Sequence, residues 1–142
     1  MKKELDLGHI ESMETEVNSL WSAKAYPIDE FIRNPIYGNF CFQGIYVISD
    51  IEDVEPVYIG KTNDGTKENG LADRIYSHAR KDSELQMALR INKSIFCKHL
   101  VRAIPIADPI TRGLTELYAI AIHRPKANKV ARLQAIPNYD ET

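Results

Sequence analysis

The chain has 142 residues, 44% of them apolar and 27% charged, which is the composition of one globular domain able to build a core without disulfide staples. No apolar run approaches the ~20 residues that span a bilayer, and no apolar stretch follows the N-terminal lysines, so the expectation is an intracellular, cytoplasmic protein with no membrane partner. The net charge of −2 argues by itself against a broadly basic nucleic-acid binder, but it is unevenly placed: residues 1–55 hold four Lys or Arg against eleven Asp or Glu, and residues 56–142 hold fourteen against nine. The C-terminal part can therefore carry a local cationic face, although an uneven solvated surface has the same composition.

Along the chain, Ile10, Met13, Val17, Leu20 and Trp21 recur at helical spacing over residues 9–23, with Ser12 as a candidate cap and Glu14–Glu16 in the first turn. Pro27 opens a second short helix, PIDEFIRN, closed by Asn34-Pro35. Residues 1–39 are thus expected to form a helical arm that packs on a core spanning 40–130, or else mediates dimerisation or touches a substrate, and 131–142 to form a tail without pattern. Cys41 and Cys97 lie in apolar runs far apart, which predicts buried free thiols. His9, His99 and His123 show no spacing suited to zinc.

Phe40–Ser49 and Val57–Gly60 are rich in β-branched and aromatic residues and predict two strands of a hairpin. The connecting loop carries Asp50, Glu52, Asp53 and Glu55. Period-2 alternation places Tyr46 opposite to Ile45 and Val47, and Tyr58 opposite to Val57 and Ile59. A suitable register then sets the two phenols side by side; two core tyrosines would follow the same pattern. After a turn-rich loop, NDGTKENG, a helix is predicted over 71–81, then a second capped at Asp82-Ser83. A third strand is predicted over Ile95–Ile104, and a helix from Asp108-Pro109 through Ile122.

Three features carry chemistry. Glu116 is the one carboxylate in GLTELYAIAI, and a carboxylate on an apolar helix is costly unless paired or bound to a metal; exposure to solvent or pairing with Arg112 at i−4 would also account for it. Arg74 and His78 are four apart and share a helical face, as a surface pair would, but arginine also grips phosphate oxygens and histidine titrates near neutrality. Tyr46 and Tyr58 are poor bases at the free phenol pKa of ~10, unless a cation such as Lys61 or Arg74 lies close.

Taken together, Gly44-Ile45-Tyr46 and Tyr58-Ile59-Gly60 resemble the signature that names the GIY-YIG nuclease family. Leu71-x-x-Arg74-x-x-x-His78 resembles its next motif, and Glu116 with Arg124-Pro125 and Asn128 resembles its closing motifs. The resemblance spans about 44–128. It implies an α/β (α+β) fold with a three-stranded antiparallel sheet flanked by helices. It also implies hydrolysis of DNA phosphodiesters with one divalent metal per site, Mg²⁺ or Mn²⁺. Carried over, Glu116 would be the metal ligand, Arg74 the phosphate or transition-state contact, and Tyr46 the base or water-orienting phenol with Tyr58 as its partner. His78 and Lys61 would assist, Lys61 on the substrate side, and Asn128 would contact substrate and secure the end of the site. A looser likeness is to type II restriction endonucleases of the Eco29kI kind, where one site cutting one strand calls for a homodimer; mobile-element, phage and repair settings are equally compatible. The alternative is a nucleic-acid-binding module of the same fold that has lost cleavage. Two features depart from the family: a longer loop between Lys61 and Leu71, and an acidic hairpin loop that would repel a phosphate backbone.

Overall fold

The structure is a computed structural model and describes residues 7–53, 55–63 and 69–128. The tail from residue 129 and residues 64–68 of the predicted loop lie outside these. A four-stranded antiparallel sheet, ordered β1-β4-β2-β3, forms the middle layer. Its strands are β1 (Tyr26–Pro27), β2 (Gly44–Ser49), β3 (Pro56–Lys61) and β4 (Leu100–Pro105). Helices α1 (Leu7–Ser22), α2 (Ile28–Phe31), α3 (Gly70–Ala79), α4 (Glu84–Leu89), α5 (Lys93–Phe96) and α6 (Pro109–His123) cover it on both sides.

β2 explains the architecture. All six of its residues are buried, because alternate side chains enter two different cores. Ile45 and Val47 join Ile59 and Ile104 beneath Val17 and Leu20 of α1 and Ala119 of α6. Tyr46 and Ile48 join Val101 and Ala103 against Leu71 and Ile75 of α3, Phe31 of α2 and Phe96 of α5. Each such aliphatic side chain contributes roughly 1.5–3 kcal/mol when fully buried, so β2 is clamped between two helical layers.

The three expected antiparallel strands are present, with β2 in the middle between β3 and β4, and the N-terminal region adds the fourth: Tyr26 and Pro27 pair with Val101 and Leu100. Residues 26–27 therefore belong to the sheet. Among the described residues, α1 begins at Leu7, so Ser12 lies inside the helix instead of capping it. The second helix is limited to Ile28–Phe31. Residues 37–40 form a 3₁₀ turn, which delays the first hairpin strand to Gly44. The third long strand starts at Leu100 and not at Ile95, because the Asn92 side chain accepts from the Ile95 amide and nucleates α5 first. Ser83 and Asp108 do cap α4 and α6, accepting from the amides of Gln86 and Thr111. The cysteine expectation needs correction: Cys41, at the end of the 3₁₀ turn, is exposed, and Cys97 is half-buried; both are free thiols. No helix among the described residues is long and apolar enough to cross a membrane.

Candidate active site

The hairpin register sets the two tyrosines. Tyr46 stands across from Gly60, and Ile48 across from Tyr58, so the phenols are diagonal neighbours on one face, with ring centroids 6.1 Å apart. Gly60 makes this possible. A Cβ there would fall on the phenol end of Tyr46 and only 2.9 Å from Tyr58 Cε2. Gly44 has a parallel reason: a Cβ there would meet the Ile104 carbonyl of β4 and the Leu71 side chain. Both glycines of the hairpin motif are thus close-approach residues.

α3 lays its polar face across the tyrosines. Leu71 and Ile75 are buried in the core below, and the i,i+4 pair Arg74 and His78 lies beside them on the helix. His78 Nε2 is 2.7 Å from Tyr46 Oη, and its ring meets that of Tyr58 edge-on at 5.5 Å. Burial, helped by the Arg74 charge, pushes the His78 imidazole down to about 3, so it is neutral near pH 7. Tyr46 is fully buried. That burial and the neighbouring Tyr58 hold its hydroxyl well above the ordinary tyrosine range, against the pull of Arg74. Its burial alters the expected division of labour: Tyr58, Arg74 and His78 line the adjoining groove, and Tyr46 sits behind them. The Arg74 guanidinium faces both phenols, whose fields strengthen its hold on its proton, Tyr46 most. Its Nε is buried with no hydrogen-bond partner among the described residues, a donor that an anionic oxygen would satisfy.

Glu116 arrives from the other side of the sheet. α6 packs on the edge strand β3 and is anchored at its start by Arg112. That buried guanidinium donates to the carbonyls of Thr62, Ile106 and Ala107, which makes it a brace between α6 and the end of β3. One turn on, the Glu116 carboxyl is half-buried and its pKa is raised by desolvation, with Lys61 and Arg74 acting in the opposite direction. Its field is also felt at Tyr46. Among the described residues, no hydrogen bond or ion pair engages its oxygens. A half-buried carboxylate so placed fits a hard cation completed by water and substrate oxygens. A cage made wholly of protein ligands does not fit, since no group of three or more His, Cys, Asp or Glu suited to a metal occurs among the described residues.

The structure therefore brings Tyr46, Tyr58, Arg74, His78, Lys61 and Glu116 to one edge of the sheet, from β2, β3, α3 and α6. Asn128 is placed differently from a substrate contact. Its side chain accepts from the Ile59 amide at 2.8 Å and donates to the Ile59 carbonyl at 2.7 Å. It closes the outer edge of β3 like a one-residue strand, so its amide faces the protein. Lys61 Nζ reaches Asn63 Oδ1 at 2.9 Å.

Sequence reasoning assigns neither of two supporting residues to the site, Ser83 being read only as a helix cap. Gln86, almost fully buried, donates to the carbonyls of His78 and Arg80, and Ser83 Oγ also donates to the His78 carbonyl. They satisfy the His78 carbonyl where α3 stops abruptly, and Gln86 adds to the Ser83 amide on the Arg80 carbonyl. A buried glutamine in QMALR would have been the only hint.

The class defined by fold and site is an α+β domain whose GIY…YIG hairpin carries a Tyr–His–Arg–Glu cluster at its sheet edge. No family model matches the chain, and no curated protein matches it. Solved structures similar to it include the GIY-YIG N-terminal endonuclease domain of UvrC from Thermotoga maritima bound to its catalytic divalent cation, magnesium. That pair shares 19% identity, covering 71% of this chain and 94% of that chain, with a TM-score of 0.49. A point mutant of the same domain, also bound to its catalytic divalent cation, shares 19% identity over 70% of this chain and 92% of that one, with a TM-score of 0.49. The similarity is one of fold.

Proposed function

We propose that this chain is a metal-dependent endonuclease that hydrolyses phosphodiester bonds of DNA, using the residues gathered at the β3 edge. The motif resemblance over 44–128 and the convergence of four elements on one spot both support this. The observation that carries it is the opposition of two charges with hydrogen-bonding capacity to spare: the Arg74 guanidinium, which faces Tyr46 and Tyr58 but whose Nε has no partner among the described residues, and the half-buried Glu116 carboxylate. One is suited to a phosphate oxygen, the other to a cation.

In this reading Arg74 binds the scissile phosphate and stabilises the negative charge that grows on its oxygens. Glu116 holds the divalent ion, which when bound supplies Lewis-acid polarisation of the phosphoryl group. Tyr58, on the groove wall, positions the attacking water, and Tyr46 fixes the His78 ring through the 2.7 Å bond. The new bond joins the water oxygen to phosphorus as the bond to the leaving oxygen breaks. The water proton goes to the Tyr46–His78 pair, and the leaving oxygen is protonated from Lys61 or solvent. Burial is the larger cause of the low His78 pKa and the Arg74 charge the smaller; a bound phosphate would offset the Arg74 part.

The test is incubation of supercoiled plasmid with the purified protein and Mg²⁺, beside Glu116→Gln and a chelator control. Nicked or linear product that disappears with either control is the expected result. Cleavage undiminished in Glu116→Gln would overturn the assignment.

A further inference from the structure

α3 stops at Ala79, and the chain turns through residues 80–83 into α4. Between these two helices opens a groove of about 890 Å³ whose inner wall is Tyr58, Arg74 and His78. It is continuous with the proposed active site. Its outer part holds charges of both signs, Arg80 and Lys81 beside Asp82 and Glu84. Among the described residues none of these four is in an ion pair.

That mixture restricts the occupant. A duplex backbone laid along the groove would present phosphates at every step and would meet two carboxylates. Carboxylates instead accept from the exocyclic amino groups of bases, as they do from cytosine. A strand that sets its phosphates on the cations and its base edges on the carboxylates matches both signs, and only unpaired bases can be turned inward in this way. The lining suits a base face as well: it includes Met87, 66% exposed, whose polarisable thioether packs well on aromatic rings.

A second observation extends the path. Arg80 also lines a neighbouring cavity of about 310 Å³ with Tyr37, Asp73 and Tyr76. Its guanidinium lies 5.8 Å from the centre of the Tyr76 ring, which is 46% exposed. An exposed aromatic ring joined to a cation is the usual platform for stacking one base of a single strand. Arg74, Arg80 and Tyr76 then mark a route from the scissile position over the end of α3.

We propose that the α3–α4 groove and Tyr76 hold unpaired nucleotides flanking the bond placed at Arg74, so that the substrate is a strand that is single-stranded next to the cleavage point. The proposal rests on the endonuclease reading above.

The experiment uses the full chain carrying Glu116→Gln, so that binding is read without turnover. Fluorescence anisotropy compares a labelled single-stranded DNA, the RNA of the same sequence and the blunt DNA duplex. The single strands are expected to bind at least about tenfold tighter than the duplex, and the two sugars separate a DNA from an RNA preference. Adding Tyr76→Ala and Arg80→Ala should weaken single-strand binding about tenfold and flatten its salt dependence by about one charge. Met87→Glu, at an exposed position that tolerates it, should do likewise by repulsion. Equal affinity for duplex and single strand, or variants that bind as the parent does, overturns the proposal. If wild-type protein still cleaves duplex plasmid in that case, the endonuclease reading stands without this one; no binding and no cleavage of any nucleic acid sinks both.

Discussion

Gly60 faces Tyr46 across the β2–β3 ladder, and the tyrosine ring fills the space that a side chain at position 60 would occupy. The buried phenol and the bare strand position are therefore one device. It gives Tyr46 a fixed depth in the sheet and holds Oη within reach of His78.

Gly60→Ala is accordingly expected to destabilise the fold by about 1–3 kcal/mol through overpacking and to abolish cleavage by displacing Tyr46. Tyr46→Ala made alone should also lose activity. The two changes together should be less destabilising than the sum of the singles, since each relieves the other. Denaturant melts of the four proteins close the cycle; strict additivity would show that the contact is not what limits position 60.

His78 makes stability depend on acidity. Its folded pKa, about 3, lies below the unfolded value of ~6.5. Between those values the unfolded chain binds a proton that the native protein does not, so stability falls as pH falls through that window, by at most about 1.4 kcal/mol per unit from this group. Thermal melts of wild type and His78→Phe at pH 7 and pH 5 check this. The variant starts lower, having lost the Tyr46 bond, but its decline toward pH 5 should be shallower. Parallel declines would place the acid sensitivity elsewhere.

How much of this was legible before the structure depends on the physics behind each feature. Strand alternation and helical i,i+4 spacing are local, so the shared face of Tyr46 and Tyr58 follows once the hairpin register is given, and that of Arg74 and His78 follows from the sequence itself. So do the Ser83 and Asp108 caps, whose side chains bond amides three residues on. Depth is not local. Alternation cannot say that Tyr46 is fully covered while Tyr58 lines a groove, because that depends on where α3 lies. The pairing of Tyr26–Pro27 with β4 joins segments some 75 residues apart (26↔101), and two residues carry no period. Asn128 reads as a ligand-facing amide until its two bonds to Ile59 are seen. The start at Leu100 was hidden because IFCKHLVRAI is mostly apolar, with β-branched residues at both ends and no Gly or Pro to break it, which masks the one-turn helix that Asn92 nucleates.

Asn128→Ala should open the outer edge of β3. Two hydrogen bonds to Ile59 are lost, a net destabilisation of about 1–3 kcal/mol. The Ile59 amide should exchange with solvent much faster than in wild type, and DNA affinity measured with the Glu116→Gln background should change little. A large loss of affinity with unchanged Ile59 protection would return Asn128 to the substrate side.

Arg74 is expected to act on the transition state. Arg74→Ala should lower kcat by roughly 10²–10³-fold, and Arg74→Lys should recover little, because an ammonium cannot replace a planar fork set between two phenols. Single-turnover cleavage at saturating DNA separates the cases. A loss confined to KM would make Arg74 a binding residue.

Glu116 should be a residue whose stability effect and activity effect have opposite signs. Burial raises its folded pKa above the unfolded value, so between those values the native protein binds the extra proton, and stability falls as pH rises through that interval. At pH 7 without metal the ionised carboxyl is a net liability, and Glu116→Gln should melt higher than wild type, by an amount that vanishes once pH drops below the unfolded carboxyl value of ~4.3. Added Mg²⁺ should reverse the order: it stabilises wild type in proportion to its occupancy and leaves Glu116→Gln unmoved, while only wild type cleaves. Melting curves at pH 7 and pH 4, with and without Mg²⁺, read all of this from two proteins. A wild type that gains nothing from Mg²⁺, or a glutamine variant that gains as much, would mean that the cation is held by some group other than Glu116.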